Sequence, residues 1–223
     1  MIKFKIAIDC IVFAYENLSN ELKVLLINRN NEPAKGEWAL PGGFVKQTEE
    51  FVTTAKRKLI EETGATRLYL EQLQAYSLTD PSPDNRIASV AFYSLIKMED
   101  FSPLQANNHI YKWVNIKKVT KLPFDHTTKI NDAIQRIKEK IHTKPIIFDL
   151  LPKKFTINQL QKIYEEIYDI QLDNRNFRRK AKSLPYLEPL NEVEENVSRR
   201  PGELYKFNKH NYEKSIQITG LIA

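Results

Sequence analysis

Apolar residues in the first half of the chain form short runs that are separated by polar segments. The runs at 6–15 and 22–28, with a polar stretch between them, predict a β-hairpin. Three later runs, at 68–78, 87–98 and 111–116, predict further strands. Helical patterns lie between and after these strands, so we expect an α/β domain in this half of the chain.

Two stretches of the same half place their apolar residues at helical spacing. Residues 49–63 predict an amphipathic helix, and Gly64 stands where a left-handed helix C-cap favours glycine. A second helix is predicted at 128–141, where isoleucines recur every three or four residues.

The C-terminal part of the chain begins with an apolar segment, 145–152, that is bracketed by prolines. We place a domain boundary before it and predict domains at 1–144 and 145–223. Residues 156–168 predict a helix that starts with a capping box, and after a short turn a second helix is predicted at 174–184.

This second helix is strongly basic, since five of the eight residues from 175 to 182 are Lys or Arg and none is acidic. Two short predicted strands, 187–190 and 204–207, follow it around a basic turn. A winged helix-turn-helix that binds double-stranded DNA has this layout, although a charged run is also typical of a solvated helix face. The candidate DNA-binding residues are Arg175, Asn176, Arg178, Arg179, Lys180 and Lys182 on the helix, and Arg199 and Arg200 on the turn.

The helix predicted at 49–63 carries charged residues at a recognisable spacing. The fixed positions are Gly43, Glu49, Arg57, Glu61, Glu62 and Gly64. This spacing resembles the signature of the Nudix family, and the resemblance implies an α/β/α sandwich with a mixed sheet. The glutamate that the family carries directly after the arginine is replaced here by Lys58.

In Nudix enzymes the carboxylates at these helix positions hold Mg²⁺, a hard cation that bridges substrate phosphates. The ammonium group of Lys58 repels a divalent cation and can pair with Glu61 or Glu62 along the helix. We therefore expect weak metal binding, impaired hydrolysis and no required cofactor. In the alternative, Lys58 points to solvent and Glu49, Glu61 and Glu62 still hold Mg²⁺. The protein would then be an active Nudix pyrophosphatase acting on ADP-ribose or a related nucleoside diphosphate derivative.

The loops around the Nudix helix supply candidate ligand-binding residues. An arginine there could hold a phosphate or a carboxylate bidentately. Ordinary alternatives remain, because Arg86 could be a surface arginine and His126 could cap or pack against the next helix. The effector-binding candidates are Arg29, Trp38, Phe44, Asp80, Arg86 and His126.

A degenerate Nudix signature followed by a basic winged helix is similar to the Nudix-related transcriptional regulators, and the similarity covers nearly the whole chain. The NrtR-type branch of this family senses ADP-ribose, and the AraR-type branch senses arabinose. Membership implies a repressor that binds a palindromic operator as a homodimer and releases it when the effector binds. The alternatives from other classes are the active hydrolase and a structural Nudix-like domain that only dimerises the DNA-binding part.

Composition adds expectations about the partner and the cellular compartment of the protein. Of the 223 residues, 42% are hydrophobic and 28% are charged, and the formal net charge of +6 permits an anionic partner without identifying one. The one cysteine, Cys10, lies in an apolar strand pattern, so we expect a small core residue and a reducing compartment. The sequence shows no signal-like N-terminus and no apolar run long enough for a membrane, so we expect a cytoplasmic protein.

Overall fold

The computed structural model of the chain contains two compact units, Met1–Leu150 and Leu151–Ala223. The described residues are 3–63, 70–78, 85–101, 110–195 and 201–220. Side chains are not described at 3–4, 62–63, 78, 85–86 and 216–220. A short 3₁₀-helix, Ile146–Asp149, belongs to the first unit, so the division falls at Leu150, whereas the predicted boundary lies at 144.

The first unit is built on a mixed seven-stranded sheet. Its strands are β1 (Lys3–Glu16), β2 (Glu21–Asn28), β3 (Trp38–Ala39), β4 (Gly42–Phe44), β5 (Glu71–Leu78), β6 (Asn85–Lys97) and β7 (Tyr111–Asn115). The order is β3-β2-β1-β6-β5, with β4 paired to β1 and β7 paired to β2. The long β1 and β6 run parallel, and the other pairs are antiparallel. The predicted hairpin is confirmed, because β1 and β2 pair directly.

Helices cover both faces of this sheet because β1 is apolar on both of its faces. Its even-numbered residues, Ile8, Cys10 and Val12, pack in one cluster with Ala55 and Leu59 of helix α1 (Phe51–Thr63). The odd-numbered Ile11 and Phe13 are also buried and point to the opposite face. There Asp9 contacts Lys129 of helix α2 (His126–Ile141), as the ion pair between them shows.

The predicted elements of the first unit are present with shifted ends. The helix expected at 49–63 begins at Phe51, and the one expected at 128–141 begins at His126. The strand expected at 68–78 is described from Glu71. Gly64, the predicted helix C-cap, lies outside the described residues. Cys10 is a buried core residue, as predicted.

The second unit is a three-stranded sheet with helices. Its elements are β8 (Phe155–Thr156), α3 (Ile157–Tyr168), α4 (Asn174–Lys182), β9 (Leu187–Val193), β10 (Glu203–Phe207) and α5 (Lys209–Gly220). The strand order is β8-β10-β9, with antiparallel pairs throughout. The capping box at Thr156 and Gln159 is present as predicted. Helix α3 ends at Tyr168, and its C-cap residue, Asp169, adopts a left-handed backbone conformation with φ 54°.

Helix α5 was not predicted. Its sequence is largely polar and shows no clear apolar stripe. The helix is attached through Tyr212, whose ring meets those of Tyr186 and Phe207 at 5.2 and 5.9 Å between centroids. Among the described residues no helix has the length and apolar character that crossing a membrane requires.

Candidate functional site

The first site lies where α1 faces the loop that precedes it. Arg57 donates two hydrogen bonds of 2.7 Å to the carboxylate of Glu49, from Nε to Oε1 and from Nη2 to Oε2. Thr54 donates a third bond, 2.9 Å long, to Glu49 Oε2. Because of these bonds, led by the one from Arg57, the pKa of Glu49 falls to about 2. Glu49 is therefore ionised and fully engaged within the protein.

Lys58 lies over strand β4 and does not extend into solvent. Its Nζ is 3.0 Å from Glu61 Oε2, and 24% of its side chain is exposed. A Cβ at Gly43 would overlap the Lys58 stem and stand 3.2 Å from its Nζ. The absence of a side chain at Gly43 thus creates the space that Lys58 fills. Pairing with Glu61, one of the two expected partners, is present, and the alternative orientation of Lys58 towards solvent is not observed.

Glu61 is shared between the two cations of this site. Arg57 Nη1 donates to both of its carboxylate oxygens, at 3.1 and 3.3 Å, while Lys58 approaches Oε2. Partial burial raises the pKa of Glu61, but the hydrogen bonds from Lys58 and Arg57 outweigh it and lower the pKa. Two carboxylates, Glu49 and Glu61, therefore face two cationic side chains, and the formal charges of these four groups cancel. The side chain of Glu62 lies outside the described residues.

These residues do not suit Mg²⁺. That ion needs oxygen ligands in near-ideal octahedral geometry. Here the oxygens of Glu49 and Glu61 accept hydrogen bonds from Arg57 and Lys58. Among the described side chains, the one group of three potential metal ligands lies elsewhere, at Asp9, Asp125 and His126.

That second group surrounds a buried ammonium. Lys129 Nζ lies 2.6 Å from Asp9 Oδ2 and 2.6 Å from Asp125 Oδ1, and the Lys129 side chain is fully buried. Ser89 donates to Asp9 and accepts a bond of 3.1 Å from Lys129. The lysine thus supplies the positive charge that a metal ion would bring.

His126 belongs to this buried network. Its Nε2 is 3.5 Å from Asp9 Oδ1, and its Nδ1 accepts a hydrogen bond of 3.0 Å from the backbone N–H of Leu40. It therefore ties the start of α2 to the segment that leads into the Nudix signature. Burial raises the pKa of Asp9, but hydrogen bonds and charge from His126 and Lys129 lower it on balance to well below its usual range.

Sequence reasoning missed Asp9, Ser89, Asp125 and Lys129. Two signals were available. Asp9 interrupts a strand that is otherwise apolar, and Asp125 and Lys129 stand four residues apart at a predicted helix start. Neither signal identifies a partner without the fold, because Asp9 and Lys129 are separated by 120 residues.

The other effector candidates lie in aromatic and cationic pairs. The guanidinium of Arg29 lies 5.1 Å from the ring centroid of Phe124, which in turn is 5.3 Å from the ring of His126. Trp38 carries the ammonium of Lys112 over its ring at 4.0 Å. Phe124, which was not among the predicted site residues, thus lies between Arg29 and His126 and contacts both.

Phe44 is about half exposed, and Lys5 lies 5.6 Å from its ring centroid. Asp80 lies outside the described residues, and the side chain of Arg86 on β6 is likewise not described.

The basic helix of the second unit presents its charged residues outward. Asp173 caps α4 by accepting a 2.8 Å hydrogen bond from Asn176 N–H. Ala181 is buried, and the ring of Phe177 packs edge-on against Tyr164 at 5.7 Å. The remaining side chains are exposed: Arg175, Asn176, Arg178, Arg179, Lys180 and Lys182.

Asn176, Arg179 and Lys182 have partners within the second unit. Arg179 donates a 3.1 Å hydrogen bond to Asn176, and Lys182 forms a 3.2 Å ion pair with Glu203 on β10. Arg199 and Arg200, which stand between β9 and β10 in the sequence, lie outside the described residues.

Known families match both units. The Nudix domain family matches residues 3–136, and the NrtR DNA-binding winged helix domain matches residues 147–207. The ADPR responsive transcriptional repressor NtrR of Acinetobacter baylyi is 31% identical over 210 residues, which are 92% of this chain and 83% of that protein. This chain belongs to the NrtR family.

Solved NrtR structures show the same architecture. Shewanella oneidensis NrtR in complex with a 27mer DNA superimposes with a TM-score of 0.78 at 27% identity, covering 93% of this chain and 95% of that one. The Nudix domain of the same protein in complex with ADP ribose matches with a TM-score of 0.53 at 30% identity, over 61% of this chain and 90% of that one. The expected sandwich with a mixed sheet and the winged helix-turn-helix are both confirmed as NrtR features.

Proposed function

We propose that this chain is a DNA-binding transcriptional repressor whose degenerate Nudix domain senses ADP-ribose. The observation that carries the proposal is the outward cationic face of α4, which is held on a winged helix. Capping by Asp173 and packing through Phe177 and Ala181 fix which side of α4 faces solvent. That side bears cations along its length, as a helix that enters the major groove requires.

The exposed residues divide by chemistry into two roles on DNA. Arginines near the helix start can donate two parallel hydrogen bonds to guanine, and Asn176 can pair bidentately with adenine. Lysines, as point charges, suit phosphates, which position the protein without reading sequence. Lys182 would exchange Glu203 for a phosphate, at small cost because their ion pair is exposed. Arg199 and Arg200 are proposed to contact the DNA backbone from the wing.

We further propose that the protein acts as a homodimer on a palindromic operator. The 27mer DNA bound by the Shewanella relative is long enough for two half-sites one helical turn apart. Activity on chromosomal DNA would place the protein in the cytoplasm, in keeping with a single buried cysteine that forms no disulfide.

ADP-ribose is the effector that the NrtR relationship favours over arabinose. The structure of the Shewanella Nudix domain was solved in complex with ADP ribose. The Acinetobacter repressor is named for its response to ADPR. Arg29, Trp38, Phe44, Asp80 and Arg86 remain the proposed contacts, whereas His126 is buried and its ring nitrogens face Leu40 N–H and Asp9. The effector must bind the DNA-releasing arrangement of the protein more tightly than the DNA-binding one, since equal affinity would shift nothing.

We also propose that the Nudix site is impaired in hydrolysis and that the protein requires no metal ion. Glu61 and Glu49 are engaged by Arg57 and Lys58 and have little capacity left for Mg²⁺. Impaired hydrolysis suits a sensor, because the protein then does not destroy the effector that it senses.

Fluorescence anisotropy of labelled duplexes from the region upstream of the gene and its neighbours tests the DNA-binding half. We expect saturable binding to one of these duplexes that survives excess nonspecific DNA and weakens steeply with salt. Arg175→Ala should weaken it, whereas Lys214→Ala, which removes an exposed lysine of α5, serves as the matched control. Absence of specific binding to every such duplex would refute the repressor assignment.

Two other functions would be recognised by their own results. Rapid Mg²⁺-dependent cleavage of ADP-ribose would show an active Nudix pyrophosphatase with an accessory domain. Failure of nucleotides and sugars alike to raise the unfolding temperature would show a structural Nudix-like domain, because a ligand at 100 times its Kd adds roughly 2.7 kcal/mol.

A further inference from the structure

The charge balance of the Nudix site points to an unusual way of holding a diphosphate. In an ordinary Nudix site carboxylates concentrate negative charge, and a divalent cation must join them before an anionic ligand can bind. In this chain Glu49 and Glu61 are already matched by Arg57 and Lys58. The described part of the site therefore does not repel an anion as a bare carboxylate cluster would.

Lys58 is placed to meet such an anion. Its stem lies along Gly43 of β4, the strand that leads towards α1, so the ammonium stays beside this strand and does not swing into bulk water. It is nevertheless partly exposed, and its partner Glu61 is 40% exposed. Exposed pairs three residues apart on a helix are weak. The ammonium can thus move from Glu61 to an incoming phosphate at little cost.

Arg57 differs from Lys58 in this respect. All three of its nitrogens donate to Glu49 or Glu61, and these bonds raise its pKa. It stabilises the site from within, which leaves Lys58 as the cation that can change partners.

We propose that Lys58 replaces the divalent metal of a Nudix site and binds the diphosphate of the effector directly, so that binding needs no metal ion. This inference rests on the proposed function only for the identity of ADP-ribose as the ligand. The exclusion of metal by Lys58 is independent of it, and the two parts can be tested apart.

The first experiment measures metal binding without any nucleotide. The full-length protein is titrated with Mn²⁺, and free Mn²⁺ is followed by electron paramagnetic resonance. The quantity of interest is the bound Mn²⁺ that disappears on Glu61→Gln, because this difference isolates the Nudix site from the Asp9 group. We expect no such Mn²⁺ in the wild-type chain and about one equivalent in Lys58→Glu, which restores the family carboxylate. One equivalent in the wild type, or none in Lys58→Glu, would overturn the proposal.

The second experiment measures ADP-ribose binding by calorimetry, in EDTA and in Mg²⁺. For the wild type we expect dissociation constants that agree within about twofold between the two buffers. Lys58→Met should weaken binding at least about tenfold, which is about 1.4 kcal/mol, in both buffers. Lys56→Met, an exposed lysine on the same helix, should change little. Unfolding followed by tryptophan fluorescence confirms that each variant is folded.

The outcomes separate the two proposals. Wild-type binding that requires Mg²⁺, or equal affinity in Lys58→Met and Lys56→Met, overturns the role of Lys58 and leaves ADP-ribose sensing intact. Absence of ADP-ribose binding in every buffer overturns ADP-ribose as the ligand, while the Mn²⁺ result still decides whether Lys58 excludes metal.

Discussion

The buried ammonium of Lys129 makes a strong prediction about stability. Its side chain is fully buried, and its ammonium pairs with Asp9 and Asp125, each at 2.6 Å. Lys129→Met keeps most of the stem but removes the ammonium that pairs with both carboxylates. Breaking a buried pair by removing one partner costs about 3–5 kcal/mol. At roughly 2–4 °C per kcal/mol for a protein of this size, the unfolding temperature should fall by about 6–20 °C.

Tryptophan fluorescence is the suitable assay. The chain has two tryptophans, Trp38 and Trp113, and both lie in the first unit, so the signal reports on that unit alone. The exposed Lys144→Met is the control and should change stability by less than about 0.5 kcal/mol. Adding Asp9→Asn to Lys129→Met should recover part of the loss, because the remaining carboxylate, Asp125, is partly exposed.

The same network predicts that the stability of the fold decreases at acidic pH. The folded-state pKa of Asp9 is depressed, so the unfolded chain binds this proton more readily than the folded one. The contribution of Asp9 to stability is therefore complete above the unfolded pKa of about 3.9 and is lost as the pH falls below it. In Asp9→Asn this part of the acid dependence should vanish. Two results would refute the reasoning. One is a loss of less than about 1 kcal/mol of unfolding free energy in Lys129→Met, and the other is an unchanged dependence of stability on acidic pH in Asp9→Asn.

Three further predictions concern the two proposed activities. Asp173→Ala removes the N-cap of α4 and should destabilise the second unit by about 0.5–2 kcal/mol in denaturant titrations followed by circular dichroism, whereas Asp173→Ser should retain most of the stability. Lys180→Ala should weaken DNA binding evenly across duplexes and reduce the slope of log affinity against log salt by about 1, which anisotropy at several salt concentrations measures; an unchanged slope would exclude a phosphate contact. Lys58→Glu should gain Mg²⁺-dependent cleavage of ADP-ribose to AMP and ribose 5-phosphate, measured by chromatography, and no gain would show that another feature silences the site.

Periodicity in the sequence was enough to predict the main elements of both units. The helix at α1 follows from its apolar spacing, and the capping box at Thr156 follows from local backbone chemistry. Helix geometry also predicted that Lys58 pairs with Glu61 or Glu62, since residues three or four apart share a face, and the pair with Glu61 is present. Such features depend on residues that are near in sequence.

Features that depend on distant residues could not be predicted in this way. The parallel pairing of β1 with β6 joins residues about 80 positions apart, and no local pattern specifies it. The stack of Arg29 on Phe124 likewise forms only once the sheet and α2 are assembled. Helix α5 was missed because its anchor is an aromatic contact, through Tyr212, to residues of the winged helix.

The central claim is that ADP-ribose, bound intact in a Nudix site, releases the DNA. One titration tests it most directly. ADP-ribose is added to the preformed complex of the full-length protein with its labelled operator in EDTA, anisotropy is recorded, and the nucleotide is then recovered and analysed by chromatography. We predict a saturable fall in anisotropy with all of the ADP-ribose recovered unchanged. A complex that persists at saturating ADP-ribose, or that dissociates only when Mg²⁺ is supplied and the nucleotide is cleaved, would contradict the account.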